Sequence, residues 1–377
     1  MNTRMRCAAA TCIASVQLVT LTACGGMLPG SESTSSPEAT KGDDVTIGLL
    51  LPEKDTARYE KFDRPIIEQQ VEELTNGQGR LVYANADQDP KRQSRQMRSM
   101  IADRVDTIVV DPVDAHAIAP SVRAAKKTGV NVIAYDRLAE GPIDAYIGFD
   151  NQLVGEVQGK SILDALGDDA TKKSKIVMIN GSPTDPNSAQ LEAGATSRLK
   201  LTVTIAKSYD TAGWKPSNAK EHMERAIAEL GAENIAAVYS ANDGMAGGII
   251  EALKDSGVGT LPPVTGQDAE LAAVRRILTG DQYMSVYKPY TEEAATAAEM
   301  AVRISQGRDI EFEAMTADRV DSPTAKDIRA HTVVVEPLTR KNIKSTVIKD
   351  GIFKVSDICT AKYAAACAEA GLTKGTD

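Results

Sequence analysis

"DTIVVDPVDAHAIAPSVRAAKKTGVNVIAYD", residues 106–136, decides the fold. Two short apolar runs, "DTIVVDP" and "NVIAYD", flank a helical pattern over residues 115–128. Apolar runs of this length, β-branched and without strict alternation, make strands buried on both faces. Strand, helix and strand in that order give a parallel pair joined by a right-handed crossover. The alternation continues in both directions. Upstream lie "VTIGLLL" and "RLVYANA"; downstream lie "AYIGFD", "KIVMING", "LTVTIAK", "IAAVYSAND", "PVTGQD", "YMSVYKP" and "HTVVVEP". Between them run helical patterns. One is "RPIIEQQVEEL", with Ile66, Ile67, Val71 and Leu74 on one stripe and Pro65 in the first turn. Others cover 91–104, 152–166, 219–230, 244–255, 269–279 and 291–306. About ten such units exceed a sheet of ordinary size. The expected fold class is therefore α/β, with two doubly wound parallel sheets, and 377 residues is a two-domain length.

Composition narrows the function. With 42% hydrophobic and 25% charged residues the chain is of ordinary soluble type. A net charge of -9 and the lack of a basic, aromatic-laced cluster argue against a nucleic-acid partner. The three histidines, His116, His222 and His331, are far apart without ligand-like spacing, so no metal is expected.

The N-terminus reads as an export signal. Arg4 and Arg6 precede the apolar run "CAAATCIASVQLVTLTA", which ends in "LTAC", residues 21–24. That ending resembles the bacterial lipobox, implying removal of residues 1–23 and a lipid on Cys24. An ordinary signal peptide with a chance cysteine is the alternative. Such a lipid anchors a protein to the outer face of the cell membrane without spanning it. The Gly-, Ser- and Pro-rich segment to residue 43 reads as a flexible tether over 24–43. In an oxidising compartment the pair Cys359 and Cys367 reads as a candidate disulfide. Eight residues of continuous helix span about 12 Å, beyond a disulfide's reach, so a bridge requires a turn between them.

Polar residues collect where strands end, which is where open parallel sheets bind ligands. Asp136-Arg137 follow "NVIAY", Asp150-Asn151 follow "AYIGF", and Asp185 and Asn187 follow "KIVMINGSP". Asn242-Asp243 follow "AAVYSA", Gln267-Asp268 follow "PVTG", and Lys288 follows "MSVY". Capping of the next helix is the competing role for Asp150, Asn151 and Asp243; Arg137 and Lys288 are donors only and cannot cap in that way. There is no nucleophile elbow, phosphate loop or complete dinucleotide fingerprint, so neither enzyme nor cofactor is expected. Asp, Asn, Arg and Lys suit vicinal hydroxyls instead. Trp214, the one tryptophan, sits in the turn-like "AGWKPSNA", residues 212–219. It is either the cap of a local cluster or a flat, exposed wall for the apolar face of a sugar.

With "ARYEK", "VIAYDR", "YIGFDN", "GSPTD", "GWKPSNA", "SANDGMAGG", "TGQDAEL", "VYKP" and "NIKSTVIKDG", the chain resembles the periplasmic D-xylose-binding protein family over roughly residues 45–355. These are sugar-binding subunits of ABC importers with the type I periplasmic binding protein fold. The resemblance implies two lobes, 44–150 with 288–335 and 151–287 with 336–377, joined by a three-strand hinge near 150, 287 and 335. It also implies a ligand site made of Arg58, Tyr59, Asp136, Arg137, Asp185, Asn187, Trp214, Asn242, Asp268 and Lys288. Two departures touch that site: Tyr59 stands where the family usually has tryptophan, and Pro186 replaces an amide. The partners implied are a monosaccharide, D-xylose or a similar aldose, and ABC permease subunits, with monomeric delivery. Handing the closed form to a membrane kinase is an equal use of the same receptor. A glycoside-processing enzyme with Asp136 and Asp268 as paired carboxylates, and a regulator of the related lac-repressor fold, are the weaker alternatives.

Overall fold

The computed structural model describes residues 42–372. The expected signal, Cys24 and all but the end of the tether lie outside the described residues. Twelve strands are assigned there. They are β1 Thr46–Leu51, β2 Arg80–Asn85, β3 Thr107–Val110, β4 Asn131–Tyr135, β5 Ala145–Phe149 and β6 Lys175–Asn180. The remainder are β7 Thr204–Asp210, β8 Ile235–Ser240, β9 Ser285–Tyr287, β10 Asp318–Val320, β11 Ile328–Val333 and β12 Glu336–Leu338.

The larger sheet has the order β10-β11-β5-β4-β3-β1-β2, parallel throughout except for the edge strand β10. Its central strands are buried on both faces, as their unbroken apolar runs require. Successive side chains alternate between the faces. Leu49 and Val109 meet the helices Arg64–Leu74 and Tyr290–Ser305 through Ile67, Val71, Ala298 and Met300. Leu50 and Val110 meet Met97, Met100, Val122 and Ala125 on the other side.

The second sheet, β7-β6-β8, is also parallel, and its core gathers Val177, Ile179, Leu191, Ala195, Met223 and Ile249. "PVTGQD" does not form the strand its sequence suggests. It makes isolated bridges, Val238 to Val264 and Gln267 to Val286, which nonetheless link β8 to the antiparallel pair β9 and β12. Pro263 has no N–H to extend a ladder on one side of Val264. On the other, the Thr265 hydroxyl takes the Ser240 N–H and donates to the Ser240 carbonyl in place of backbone groups. A helix the sequence did not suggest, Pro186–Leu199, packs on Asn151–Leu166. Its buried apolar residues, Leu191, Ala195 and Leu199, form a narrow line among Asn, Ser, Gly and Thr. The two helices approach closely because a Cβ on Gly155 would lie 2.0 Å from the Leu191 carbonyl oxygen, and one on Gly194 2.1 Å from that of Gln152.

The chain passes between the sheets three times. β5 runs into the helix Asn151–Leu166, β9 into Tyr290–Ser305, and β11 into β12. "HTVVVEP" is thus two strands with a break at Val334 and Val335. Near the C-terminus, Cys359 and Cys367 are bonded with their Cα atoms 5.9 Å apart. A turn, Ala361–Tyr363, separates the helices Val355–Ile358 and Ala364–Glu369 and brings the two sulfurs together. Among the described residues no helix is long and apolar enough to cross a membrane.

Candidate ligand cleft

All ten residues expected at a ligand site line one narrow cleft between the carboxyl ends of the two sheets' strands. Thr56 and Gln267 complete the lining. Thr56 sits in a loop after β1 that buried Glu53 organises by accepting the Asp55 and Thr56 backbone N–H groups. Gln267 stands in the "TGQDAEL" stretch, so its placement had a signal; Thr56 had none. Asp150, Asn151 and Asp243 are not in the lining. Asp150 caps its helix through the Leu153 N–H, and Asp243 is fully buried, accepting from Gln282, Ser285 and the Glu270 N–H.

Capping and lining coexist elsewhere. The Asn242 side chain accepts the Met245 N–H at 3.0 Å, and that of Asp185 the Asn187 N–H at 2.9 Å. Pro186, the residue that departs from the family's amide, occupies the first turn of the helix Asp185 caps, a position where its missing N–H costs nothing. Three lining residues hold left-handed backbone: Asp136 at φ 56°, Trp214 at 57° and Asp268 at 87°. Each such conformation costs of order 1 kcal/mol or more in a non-glycine residue, and such strain clusters at ligand sites.

Arg58 is a nearly fully enclosed charge. It precedes a π-helical turn, Tyr59–Asp63, an irregularity frequent at functional sites. Its Nε donates to Asp63 at 2.8 Å, its Nη2 to the Tyr135 hydroxyl at 3.0 Å and to Glu293. The rings of Tyr59, Tyr135, Phe149 and Tyr290 surround the guanidinium at 5.3 to 5.9 Å. Its Nη1 has no protein hydrogen-bond partner among the described residues and lies 3.8 Å from Asp136 Oδ2. The Gln267 Oε1 is likewise unpartnered.

Asp136 is the hub. It accepts from the Tyr59 hydroxyl at 2.9 Å and sits 3.4 Å from Lys288 Nζ, while its carbonyl accepts from Asn187 at 3.1 Å. Burial alone would raise its pKa, but Lys288, Arg58, Arg137 and the Tyr59 hydroxyl outweigh that and hold it well below the usual carboxylate range. Lys288 also lies 3.4 Å from Asp268. Burial would lower the Lys288 pKa, yet Asp136 and Asp268 keep it raised. The Tyr59 hydroxyl accepts from Arg137 Nη2 at 3.4 Å, so it is tied into the charged network rather than free in the cleft.

Trp214 departs from the exposed aromatic the sequence suggested. It is 8% exposed, lies in the core cluster of the second sheet, and lines the cleft as well. Gly181 makes that possible, because a Cβ there would come within 2.0 Å of the indole ring.

The carboxyls behind Arg58 carry a pH signature. Burial pushes Glu293 from 4.5 up to about 8 and Asp63 from 3.8 up to about 6, against the pull of Arg58 in both cases. Between 4.5 and about 8 the folded chain retains the Glu293 proton that the unfolded chain gives up, so this group's stabilisation is present at low pH and lost as pH rises through about 8. The Glu293→Gln variant is expected to flatten the fall in melting temperature across that window. An unchanged slope would mean that Glu293 is ionised in the fold.

Residues 47–309 match the family described as periplasmic binding protein domain. The chain belongs to that family, and its α/β architecture is the type I periplasmic binding protein fold. Within it, the chain is a relative of the D-xylose-binding periplasmic proteins. It is 33% identical over 349 residues to the one from Escherichia coli, a match spanning 91% of this chain and 99% of the relative. It is 31% identical over 330 residues to a multiple sugar-binding periplasmic protein of Azospirillum brasilense, spanning 82% and 90% of the two chains. Among solved structures, an ABC transporter solute binding protein from Clostridium phytofermentans with bound beta-D-glucose is similar at a TM-score of 0.76 and 27% identity. That likeness covers 83% of this chain and 99% of the other.

Proposed function

We propose that this protein is the extracytoplasmic sugar receptor of an ABC importer, taking an uncharged aldose, D-xylose first, between two lobes that close on it. The observation that carries this is the balance of charge on the cleft wall. Arg58, Arg137 and Lys288 stand against Asp136, Asp185 and Asp268, so a ligand need bring no formal charge. Arg58 Nη1 and Gln267 Oε1 are a donor and an acceptor suited to hydroxyls, and Trp214 offers a face for apolar C–H groups. The lobes are 44–150 with 288–335 and 151–287 with 336–377, moving about the three crossings between the sheets, and the sugar favours closure by binding both. The held-down pKa of Asp136 leaves it without a proton to donate, which favours a receptor over a glycosidase.

A second aldose, glucose, is supported by the glucose-bound structural neighbour. Titration calorimetry against xylose, glucose, ribose, arabinose and galactose separates the two. Xylose binding most tightly, well below millimolar, is the expected result; glucose binding most tightly transfers the assignment, and no binding to any of the five overturns the sugar reading. The "LTAC" at 21–24 supports delivery from a membrane anchor, and the mass of the mature N-terminal peptide should carry a diacylglyceryl group on Cys24.

A further inference from the structure

Asp185 lines the cleft, but most of its acceptor capacity is committed to the protein. It is 3% exposed. Its Oδ1 accepts the Asn187 backbone N–H at 2.9 Å, and its Oδ2 accepts the Trp214 indole N–H at 3.0 Å. The same Oδ2 lies 2.8 Å from Arg137 Nε. Asp185 and Trp214 follow strands of the smaller sheet, β6 and β7, whereas Arg137 follows β4 of the larger one. One oxygen therefore joins the aromatic wall of one half to a guanidinium of the other.

Arg137 is prepared for this contact from its own side. Its Nε lies 3.4 Å from fully buried Asp111, and its Nη1 donates to the Pro112 carbonyl at 3.2 Å. Both anchors come from the loop after β3, in the larger sheet, so they do not depend on where the other half stands. Two neutral bonds flank the pair. Thr184, next to Asp185, donates to the Val113 carbonyl at 3.2 Å, and Gln88 donates to the carbonyl of Gly213, next to Trp214, at 3.3 Å. All three links are protein to protein, so they form when the halves meet, whatever occupies the cleft.

We propose that Asp185 is a positioning residue that latches the two lobes and fixes the tryptophan wall, setting how long the closed form lasts rather than which hydroxyls are read. The proposal rests on the two-lobe receptor described above. A carboxylate that bridges lobes acts on closure itself, and a loss there is felt mainly as faster ligand release. Asp185→Asn keeps the size of the side chain and removes the charge that faces Arg137.

Small-angle scattering of the sugar-free protein, with stopped-flow release of bound sugar, tests this. The Asp185→Asn variant is expected to enlarge the sugar-free radius of gyration and to speed sugar release about tenfold or more, with the association rate within a few-fold of the parent. Thr184→Val and Gln88→Leu, on the same seam, are expected to shift the scattering in the same direction by less. Their behaviour decides the matter should Asp185→Asn not fold. A weakened sugar affinity with unchanged sugar-free scattering would make Asp185 a ligand contact and overturn the latch. An opened sugar-free protein that binds no sugar would sustain the latch while rejecting the sugar-receptor reading.

Discussion

Arg58→Leu is expected to abolish measurable sugar binding and to cost the fold about 3–5 kcal/mol, the usual penalty for removing one partner of a buried ion pair. Both effects come from one guanidinium. On the cleft side its Nη1 is the donor without a protein partner. On the inner side it is the cation beside Asp63 and Glu293, neither of which is exposed. Removing it leaves two carboxyls in an apolar, aromatic surround, where they are tolerated only when protonated. The destabilisation should therefore be smaller at pH 5 than at pH 8. Denaturant unfolding at the two pH values checks this; equal and small losses would show that Arg58 does not hold those carboxyls.

Trp214→Ala is expected to weaken sugar binding by more than about 1 kcal/mol through lost ring contact and, in addition, to destabilise the fold by about 3–5 kcal/mol. Of the two roles the sequence leaves open, an exposed wall would mean that stability is largely spared. The 8% exposure of Trp214 and its membership of the second core are the reasons it should not be. Two companion substitutions separate the roles. Trp214→Phe keeps an aromatic face but loses the N–H given to Asp185, so it should retain more stability than affinity. Gly181→Ala leaves the tryptophan intact and drives a methyl into the ring's place, so affinity should fall by displacement of the wall. Full affinity in the Gly181→Ala variant would mean that the ring's position does not matter to the ligand. Calorimetry beside thermal melts reads both quantities.

Much of this architecture is legible in the chain because parallel sheets announce themselves locally. "DTIVVDP" and "NVIAYD" needed only their own composition to be strands, and polar residues at strand ends must gather where the sheets' carboxyl edges meet. What is carried by contacts across the sequence is not legible. Glu293 lies 235 residues from Arg58, and nothing in "YTEEAATAAEM" distinguishes it from Glu292 beside it until the helix is packed. The helix Pro186–Leu199 is hidden because its packing depends on glycines that admit a neighbouring backbone, not on a broad apolar stripe. Left-handed backbone at Asp136, Trp214 and Asp268 is hidden too, since the surrounding structure, not the residue type, enforces it. Tyr59 is partly legible. Its substitution for a larger ring is visible in the sequence, but the direction of its hydroxyl, inward to Asp136 and Arg137, is not.

The chain contains one tryptophan, and that residue forms part of the cleft wall with its N–H on the Asp185 carboxylate. At excitation wavelengths beyond tyrosine absorption, the emission therefore comes from a single, known place. The protein carries its own optical gauge of occupancy, with neither dye nor label attached. A change in the colour or intensity of that light on adding sugar would report the state of the wall itself, with no second tryptophan to dilute it.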